Sequence, residues 1–169
     1  MNPLSLSHAE VTLRPVTPDD RDFLCELYAS TRIEELRVTG WAQDQIDAFL
    51  LQQFEAQTLH YAAHYNPDGF MALCHGEAAI GRLYLEERPD EIRIVDIALL
   101  PMHRGQGIGS SVLDDVMAMA TQQGKCVRIH VEQNNPAQSL YQRLGYKKID
   151  ENGIYHLMEY NALIQTSAT

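Results

Sequence analysis

Cysteine, basic residues and long apolar runs are scarce in this sequence, and each scarcity excludes a class of protein. Cysteine occurs three times, with no C-x-x-C pair, which argues against a disulfide framework and a zinc site. Lysine and arginine number 13 against 23 acidic residues, and the formal charge of −10 argues against a general binder of nucleic acid or anionic membranes. No run of 18 apolar residues occurs, so a transmembrane helix is not expected.

The composition that is present is typical of one folded domain. Apolar residues make up 45% and charged residues 21%, which are ordinary values for globular proteins. The length of 169 residues suits one compact domain. We therefore expect a single domain over residues 1–169, with its core over about residues 11–160. The first ten residues lack the basic cluster and apolar run of a secretory signal, which predicts a cytoplasmic protein.

Hydrophobic periodicity predicts the order of helices and strands. A period of two predicts strands, two of them in a final hairpin, at residues 11–16, 69–75, 78–86, 91–100, 127–131, 146–149 and 154–160. Helical spacing and helix-start residues predict helices at residues 18–32, 41–61, 108–123 and 134–143. The order β-α-α-β-β-β-α-β-α-β-β predicts an α/β (α+β) fold. Strands 91–100 and 127–131, joined by a helix, are expected to lie parallel.

A glycine-rich segment joins strand 91–100 to the next helix. It reads Arg104-Gly105-Gln106-Gly107-Ile108-Gly109, and a helix start of this kind offers unpaired amides and a positive dipole to a phosphate or pyrophosphate. Arg104 can add positive charge. The dinucleotide pattern G-x-G-x-x-G fails because Ser110 stands at its last position, and the G-K-S or G-K-T of a P-loop is absent. The alternative is a tight glycine turn without a ligand.

Two motifs together carry a resemblance to a known family. Arg104, Gly107 and Gly109 match the acetyl-CoA motif R/Q-x-x-G-x-G/A, and residues 134–146 read NNPAQSLYQRLGY, which resembles N-x-x-A-x-x-L-Y-x-x-x-G-F. With the element order, these motifs make the chain similar to the GNAT superfamily of N-acetyltransferases over about residues 11–160. The resemblance implies the GNAT fold, in which a mixed central sheet of about six to seven strands is flanked by helices.

The same resemblance implies an enzyme, an acetyl-CoA-dependent N-acetyltransferase. Such an enzyme moves the acetyl group directly to an amine acceptor in a ternary complex. The alternatives are a catalytically silent acyl-CoA-binding regulatory domain and an unrelated anion-binding module. Acetyl-CoA is expected as co-substrate, and no metal is expected. His60 and His64 have the spacing of metal ligands on a helix, but no third ligand is evident.

The resemblance further implies which residues hold acetyl-CoA. The backbone of the stretch Ile97-Ala98-Leu99 would lie along the pantetheine, with the Leu99 amide as the first choice of donor to the acetyl carbonyl. The pyrophosphate would be held by Gly105-Gln106-Gly107-Ile108-Gly109-Ser110. An asparagine would contact the pantetheine arm. Counting from Tyr141 selects Asn134 and counting from Val131 selects Asn135, so both stay open.

Amine acetylation also needs an acid and a base, because alkylamines have pKa values of about 10 and the departing thiolate needs a proton. Tyr141 resembles the general acid of the family, and packing beside the pantetheine is its alternative role. His130 immediately precedes Val131, where some family members have a catalytic glutamate, and histidine titrates near neutrality. Asp96 is the second candidate base and Glu132 the third. A bound water can relay the proton.

The partners are less defined than the donor. A negative net charge favours a cationic acceptor, and small amines, amino acids, antibiotics, peptide N termini and lysine side chains all fit the sequence. In the resembled family, residues equivalent to 31–61 usually shape the acceptor pocket. Neither nucleic acid nor a membrane is expected as a partner. Members of the superfamily often pair through the final strands, and the apolar residues of 154–160 are compatible with such a homodimer.

Overall fold

A computed structural model describes residues 4–162 of the chain. The remaining residues of the domain predicted over residues 1–169, at either end, lie outside the described residues. The helices are α1 (Arg21–Arg37), α2 (Gln43–His64), α3 (Ile108–Gln122) and α4 (Ala137–Arg143). The strands are β1 (Val11–Pro15), β2 (Phe70–His75), β3 (Ala78–Glu87), β4 (Glu91–Leu99), β5 (Cys126–Glu132), β6 (Lys147–Asn152) and β7 (Tyr155–Tyr160). The predicted order of helices and strands is confirmed.

The seven strands form one mixed sheet in the order β1-β2-β3-β4-β5-β7-β6. The pair β4 and β5 is parallel, as predicted, and the other neighbouring strands are antiparallel. The sheet is therefore mixed and has helices on both faces, as the predicted fold requires.

The helix ends are where the structure differs most from the sequence prediction. α1 continues to Arg37 rather than about Arg32, because the next helix breaker is Gly40, which has a φ of +76°. α4 begins at Ala137 rather than near residue 134. The reason is that the side-chain oxygen of Asn135 accepts a hydrogen bond of 2.9 Å from the Ala137 amide, which caps the helix there.

One face of the sheet packs against α3 and α4, and we call it the α3 face. Apolar residues at helical spacing in α3 pack onto alternate residues of β4 and β5 in the main core. Full burial of each large aliphatic side chain stabilises the fold by about 1.5–3 kcal/mol. On the opposite face, Tyr61 of α2 contacts Tyr84 and Arg32 of α1 pairs with Glu132. We call this the α1 face.

The parallel strands β4 and β5 separate at the centre of the sheet. Their last paired residues are Ile94 and Ile129, whereas β4 continues to Leu99 and β5 to Glu132. Val95 is an extra residue in the pairing of β4 with β3, and such a bulge bends a strand. We call the opening between residues 95–99 and 130–132 the split. Backbone groups of both strands face it, so the fold creates a polar cleft there.

Candidate functional site

The glycine loop lies at the end of β4 and opens α3. Gly105 and Gly107 have φ values of +73° and +84°, in the left-handed region that glycine adopts without steric cost. The first helical hydrogen bond of α3 runs from the Ser111 amide to the Gly107 carbonyl at 3.0 Å. The amides of residues 108–110 therefore lie before the helical hydrogen-bond ladder and can bind an anion.

The surface over this loop is open. A Cβ atom built on Gly105, Gly107 or Gly109 would meet no heavy atom of the described residues within 4 Å. A ligand can therefore approach the backbone of the loop closely. This arrangement supports the sequence interpretation of the loop as a pyrophosphate site.

Arg104 attaches the loop to two other elements. Its Nε donates to the Leu99 carbonyl at 2.9 Å, and its Nη2 donates to the Ser30 hydroxyl at 3.1 Å. Gln106 donates to the Met102 carbonyl at 3.0 Å. Arg104 thus holds the loop against β4 and α1, and no pattern in the sequence indicates the Ser30 contact.

The backbone of β4 presents alternate groups to the split. The Leu100 amide donates to the Ile80 carbonyl of β3 at 2.8 Å, and the Ala98 carbonyl faces Gly81 of β3. Because N–H directions alternate along a strand, the Leu99 amide points away from β3, toward the split. An amide in this position can donate to an oxygen atom of a ligand in the split. The N–H and C=O groups of Ala98, which belongs to the same predicted stretch, face β3.

Gly81 allows β3 and β4 to approach closely beside this amide. A Cβ atom at Gly81 would lie 2.3 Å from the Ala98 carbonyl oxygen and 2.9 Å from Leu99 Cδ2. Gly81 is not among the site residues predicted from the sequence. The available signal was a glycine inside a strand pattern, which often marks close backbone approach.

Tyr141 lies in α4 and is buried on the α3 face, where it belongs to the main core. Its ring centroid is 5.3 Å from that of Tyr146. Burial and, to a lesser extent, the charge of Asp96 raise the pKa of Tyr141 well above its ordinary value. The hydroxyl is therefore protonated at neutral pH, which a general acid requires.

Asp96 lies on the α1 face and is held by two donors. The Tyr61 hydroxyl donates to its Oδ2 at 2.9 Å, and Arg82 forms an ion pair with the same oxygen. Arg82 is buried, donates to the Gln57 side chain at 2.8 Å, and lies 4.8 Å from the Tyr84 ring centroid. The second predicted base is thus part of a buried ion pair. Arg82 was missed, although an arginine between the apolar residues of β3 was a visible signal.

His130 follows Ile129, the last residue of β5 that pairs with β4, and is exposed on the α1 face. Its Nδ1 lies 3.4 Å from Nη1 of Arg93, and the Arg93 Nε donates to buried Glu91 at 2.9 Å. Partial burial and the Arg93 cation lower the pKa of His130 from its ordinary value. Because arginine only donates, Nδ1 accepts and the neutral ring carries its hydrogen on Nε2.

Glu132, the third predicted base, is also ion-paired. Arg32 Nη2 of α1 donates to its Oε1 at 2.9 Å, and Nη1 of the same guanidinium lies 3.6 Å from Glu35. Glu132 shares the α1 face with His130 because the two are separated by two positions in a strand. Arg32 therefore covers the carboxylate at the end of β5.

Of the two predicted asparagines, Asn135 has its side-chain oxygen committed to the cap of α4. Both asparagines are exposed between β5 and α4. The rings of His60 and His64 stack at 4.2 Å, and among residues 4–162 no group of three or more His, Cys, Asp or Glu side chains is arranged to hold a metal. No helix within the described range is long and apolar enough to cross a membrane.

The fold therefore arranges the predicted acid and the predicted bases on different sides of the sheet. Tyr141 packs on the α3 face, whereas Asp96, His130 and Glu132 contact side chains of the α1 face. The glycine loop ends β4 beside them. The split is thus bordered by side chains of both faces of the sheet.

Comparisons with known proteins show the family and the fold of this chain. The family model described as the acetyltransferase (GNAT) family matches residues 27–146. No curated protein matches the sequence significantly. The model is similar to solved structures of the PaiA N-acetyltransferase from Thermoplasma acidophilum in complex with coenzyme A (TM-score 0.66, 17% identity, 89% of this chain and 98% of that one) and of Arabidopsis thaliana Naa50 with the bisubstrate analogue CoA-Ac-MVNAL (TM-score 0.59, 16% identity, 90% and 99%).

A third similar structure, PH1933 from Pyrococcus horikoshii, has a TM-score of 0.62 at 19% identity and covers 90% of this chain and 98% of that one. Identities this low show a shared fold, and the match of the family model over most of the chain shows the family. The chain belongs to the GNAT family of acetyltransferases.

Proposed function

We propose that the protein transfers the acetyl group of acetyl-CoA directly to an amine acceptor in a ternary complex. The observation that carries this proposal is the position of the open glycine loop, which ends the same strand whose Leu99 amide points to the split. Pyrophosphate binding at the loop would place the thioester beside that amide. The Thermoplasma and Arabidopsis structures, which are complexes with coenzyme A and with a CoA-based bisubstrate analogue, support the same donor here.

Donor binding would use the loop amides at residues 105–110 and the backbone of β4. The Leu99 amide is the proposed donor to the thioester carbonyl. Asn134 is the proposed contact to the pantetheine arm, because the side-chain oxygen of Asn135 is engaged in capping α4. Acetyl-CoA is a co-substrate in this scheme, and no step requires a metal.

The chemistry is nucleophilic attack by the neutral acceptor nitrogen on the thioester carbonyl carbon. A C–N bond forms, and the negative charge on the carbonyl oxygen is stabilised by the Leu99 amide. Collapse of the tetrahedral intermediate breaks the C–S bond. Tyr141 donates its proton to the departing thiolate and is reprotonated from solvent. A base on the α1 face takes the proton that the ammonium loses before the attack, and the second proton lost by the nitrogen passes to solvent. No acyl-enzyme is formed.

His130 is the proposed base. Its lowered pKa keeps the ring neutral at pH 7, whereas Asp96 and Glu132 are engaged in ion pairs. The amine proton reaches the imidazole through a water, because the nitrogen with the free lone pair, Nδ1, contacts Arg93 on the inner side of the ring. Asp96 and Glu132 then serve to attract and orient the ammonium form of the acceptor.

A panel of amines incubated with acetyl-CoA, with free thiol as the readout, tests the activity. Thiol release that depends on both the amine and the intact loop supports the proposal. Acetyl-CoA binding without thiol release for every amine class indicates the regulatory alternative, and failure to bind any CoA species indicates an unrelated module.

The homodimer and the cytoplasmic location stay predictions. Sedimentation of the full chain tests the homodimer.

A further inference from the structure

The two carboxylates on the α1 face of the split have arginine partners of very different exposure. Asp96 pairs with Arg82, whose side chain is 5% exposed and is also bonded to Gln57. Glu132 pairs with Arg32, whose side chain is 35% exposed. Arg82 is enclosed and cannot leave Asp96 without an uncompensated buried charge. Arg32 lies at the surface and can move.

Arg32 also has a second carboxylate within reach. Its Nη2 donates to Glu132 at 2.9 Å, while its Nη1 lies 3.6 Å from Glu35, one turn further along α1. The Glu35 side chain is 66% exposed. A rotation of the Arg32 side chain toward Glu35 would therefore keep the guanidinium paired, in the i, i+3 arrangement that stabilises helices.

An amine acceptor reaches the enzyme mainly as an ammonium ion, because alkylamine pKa values are about 10. A partly exposed ion pair contributes little net stability, so replacing one cation by another at Glu132 is an exchange of similar interactions. Glu132 and His130 share a strand face. An ammonium bound to Glu132 would consequently lie beside the proposed base.

We propose that the acceptor ammonium displaces Arg32 from Glu132 and that Arg32 then pairs with Glu35. Arg32 is thus a residue that determines specificity, and the favoured substrates are protonated alkylamines. Aryl amines that are neutral at pH 7 gain nothing from Glu132. This inference rests on the proposed function for its meaning in catalysis, but the exchange itself is a binding event.

The binding test uses calorimetric titration of n-butylamine, protonated at pH 7, into the CoA-loaded protein. Arg32→Met should tighten binding by about twofold to fivefold, because the competing cation is removed. Glu35→Gln should weaken it, because Arg32 loses its second partner. Glu132→Gln should abolish it. Glu34→Gln is the matched control, since Glu34 pairs with Arg37 on the same helix, and should leave binding unchanged.

Unchanged or weaker binding in Arg32→Met, or no saturable binding to any variant, overturns the proposal. Thermal unfolding of each variant identifies any that fail to fold. In steady-state assays Arg32→Met should lower KM for alkylamines and leave KM for an aryl amine unaltered. If n-butylammonium binds as expected but no amine is acetylated, the proposed function fails while the exchange stands. If amines are acetylated and Arg32→Met does not alter binding, only the exchange fails.

Discussion

Nη1 of Arg93 lies 3.4 Å from Nδ1 of His130, so the Arg93 guanidinium contacts the inner side of the imidazole at the split. Arg93 is buried, and Glu91 holds it from the same strand. Arg128 Nη1 donates to the same carboxylate at 3.1 Å. The ring of His130 therefore has a defined tautomer and a positive charge on its inner side, while its outer side is exposed.

Replacing Arg93 with methionine should raise the pKa of His130, because one cause of its lowering is removed. The base form of histidine is lost as the pH falls through this pKa. The acidic limb of the kcat/KM profile should therefore move to higher pH in Arg93→Met, and NMR titration of His130 should move in parallel. Arg21→Met, which removes a surface arginine paired with Glu55, is the control.

His130→Ala completes that experiment. The acidic limb of the kcat/KM profile should disappear in His130→Ala if the imidazole accepts the proton. A limb that persists unchanged would assign it to another group, and the base would then be sought at Asp96, Glu132 or a water.

Replacing Tyr141 with phenylalanine should lower turnover by about a hundredfold or more, the scale of a lost general acid. Acetyl-CoA affinity should change little, since only the hydroxyl is removed. Tyr146→Phe is a matched control because its ring is 5.3 Å from that of Tyr141. Its buried hydroxyl has no hydrogen-bond partner in the part of the chain that the structure describes. Equal loss of turnover in both variants would point to packing rather than acid catalysis.

Replacing Gly81 with alanine should destabilise the fold by about 1–3 kcal/mol, the range for overpacking. The new methyl group would lie 2.3 Å from the Ala98 carbonyl oxygen and would push β4 away from β3. The Leu99 amide should move with the strand, so turnover should fall in the molecules that stay folded. Urea unfolding and kcat measure the two effects. An unchanged free energy of unfolding would mean that β3 and β4 accommodate the methyl group, against the 2.3 Å approach to the Ala98 carbonyl oxygen.

Replacing Gly109 with alanine should have the opposite pattern. The new methyl group would meet no described atom within 4 Å, and alanine favours a helix over glycine by about 1 kcal/mol. The melting temperature should therefore hold or rise. CoA binding should weaken, because the methyl group occupies the surface that a pyrophosphate would contact. Undiminished CoA affinity in a calorimetric titration would place the pyrophosphate elsewhere.

Local patterns in the sequence were sufficient for the order of the elements and for the glycine loop. Alternation and helical spacing are short-range signals, and positive φ values at Gly105 and Gly107 need the residue that the sequence supplies. The helix ends predicted from the sequence were less accurate than the element order. A helix begins where one side chain caps it, as Asn135 does for the Ala137 amide, and neighbouring residues could serve as the cap equally well.

The contacts of the predicted bases could not be predicted, because they join residues that are distant in sequence. Arg32 and Glu132 are 100 positions apart, and Arg93 and His130 are 37 apart. Their pairing depends on how α1 crosses the sheet and on how β4 and β5 align.

The sequence by itself determined the element order, the donor loop and the resemblance that named the family, because each depends on neighbouring residues. Only the tertiary structure decided which carboxylates are held by arginines, which strand amide faces the split and on which face each proposed acid or base lies. Those properties arise from packing and strand direction, which become defined when the distant segments are brought together.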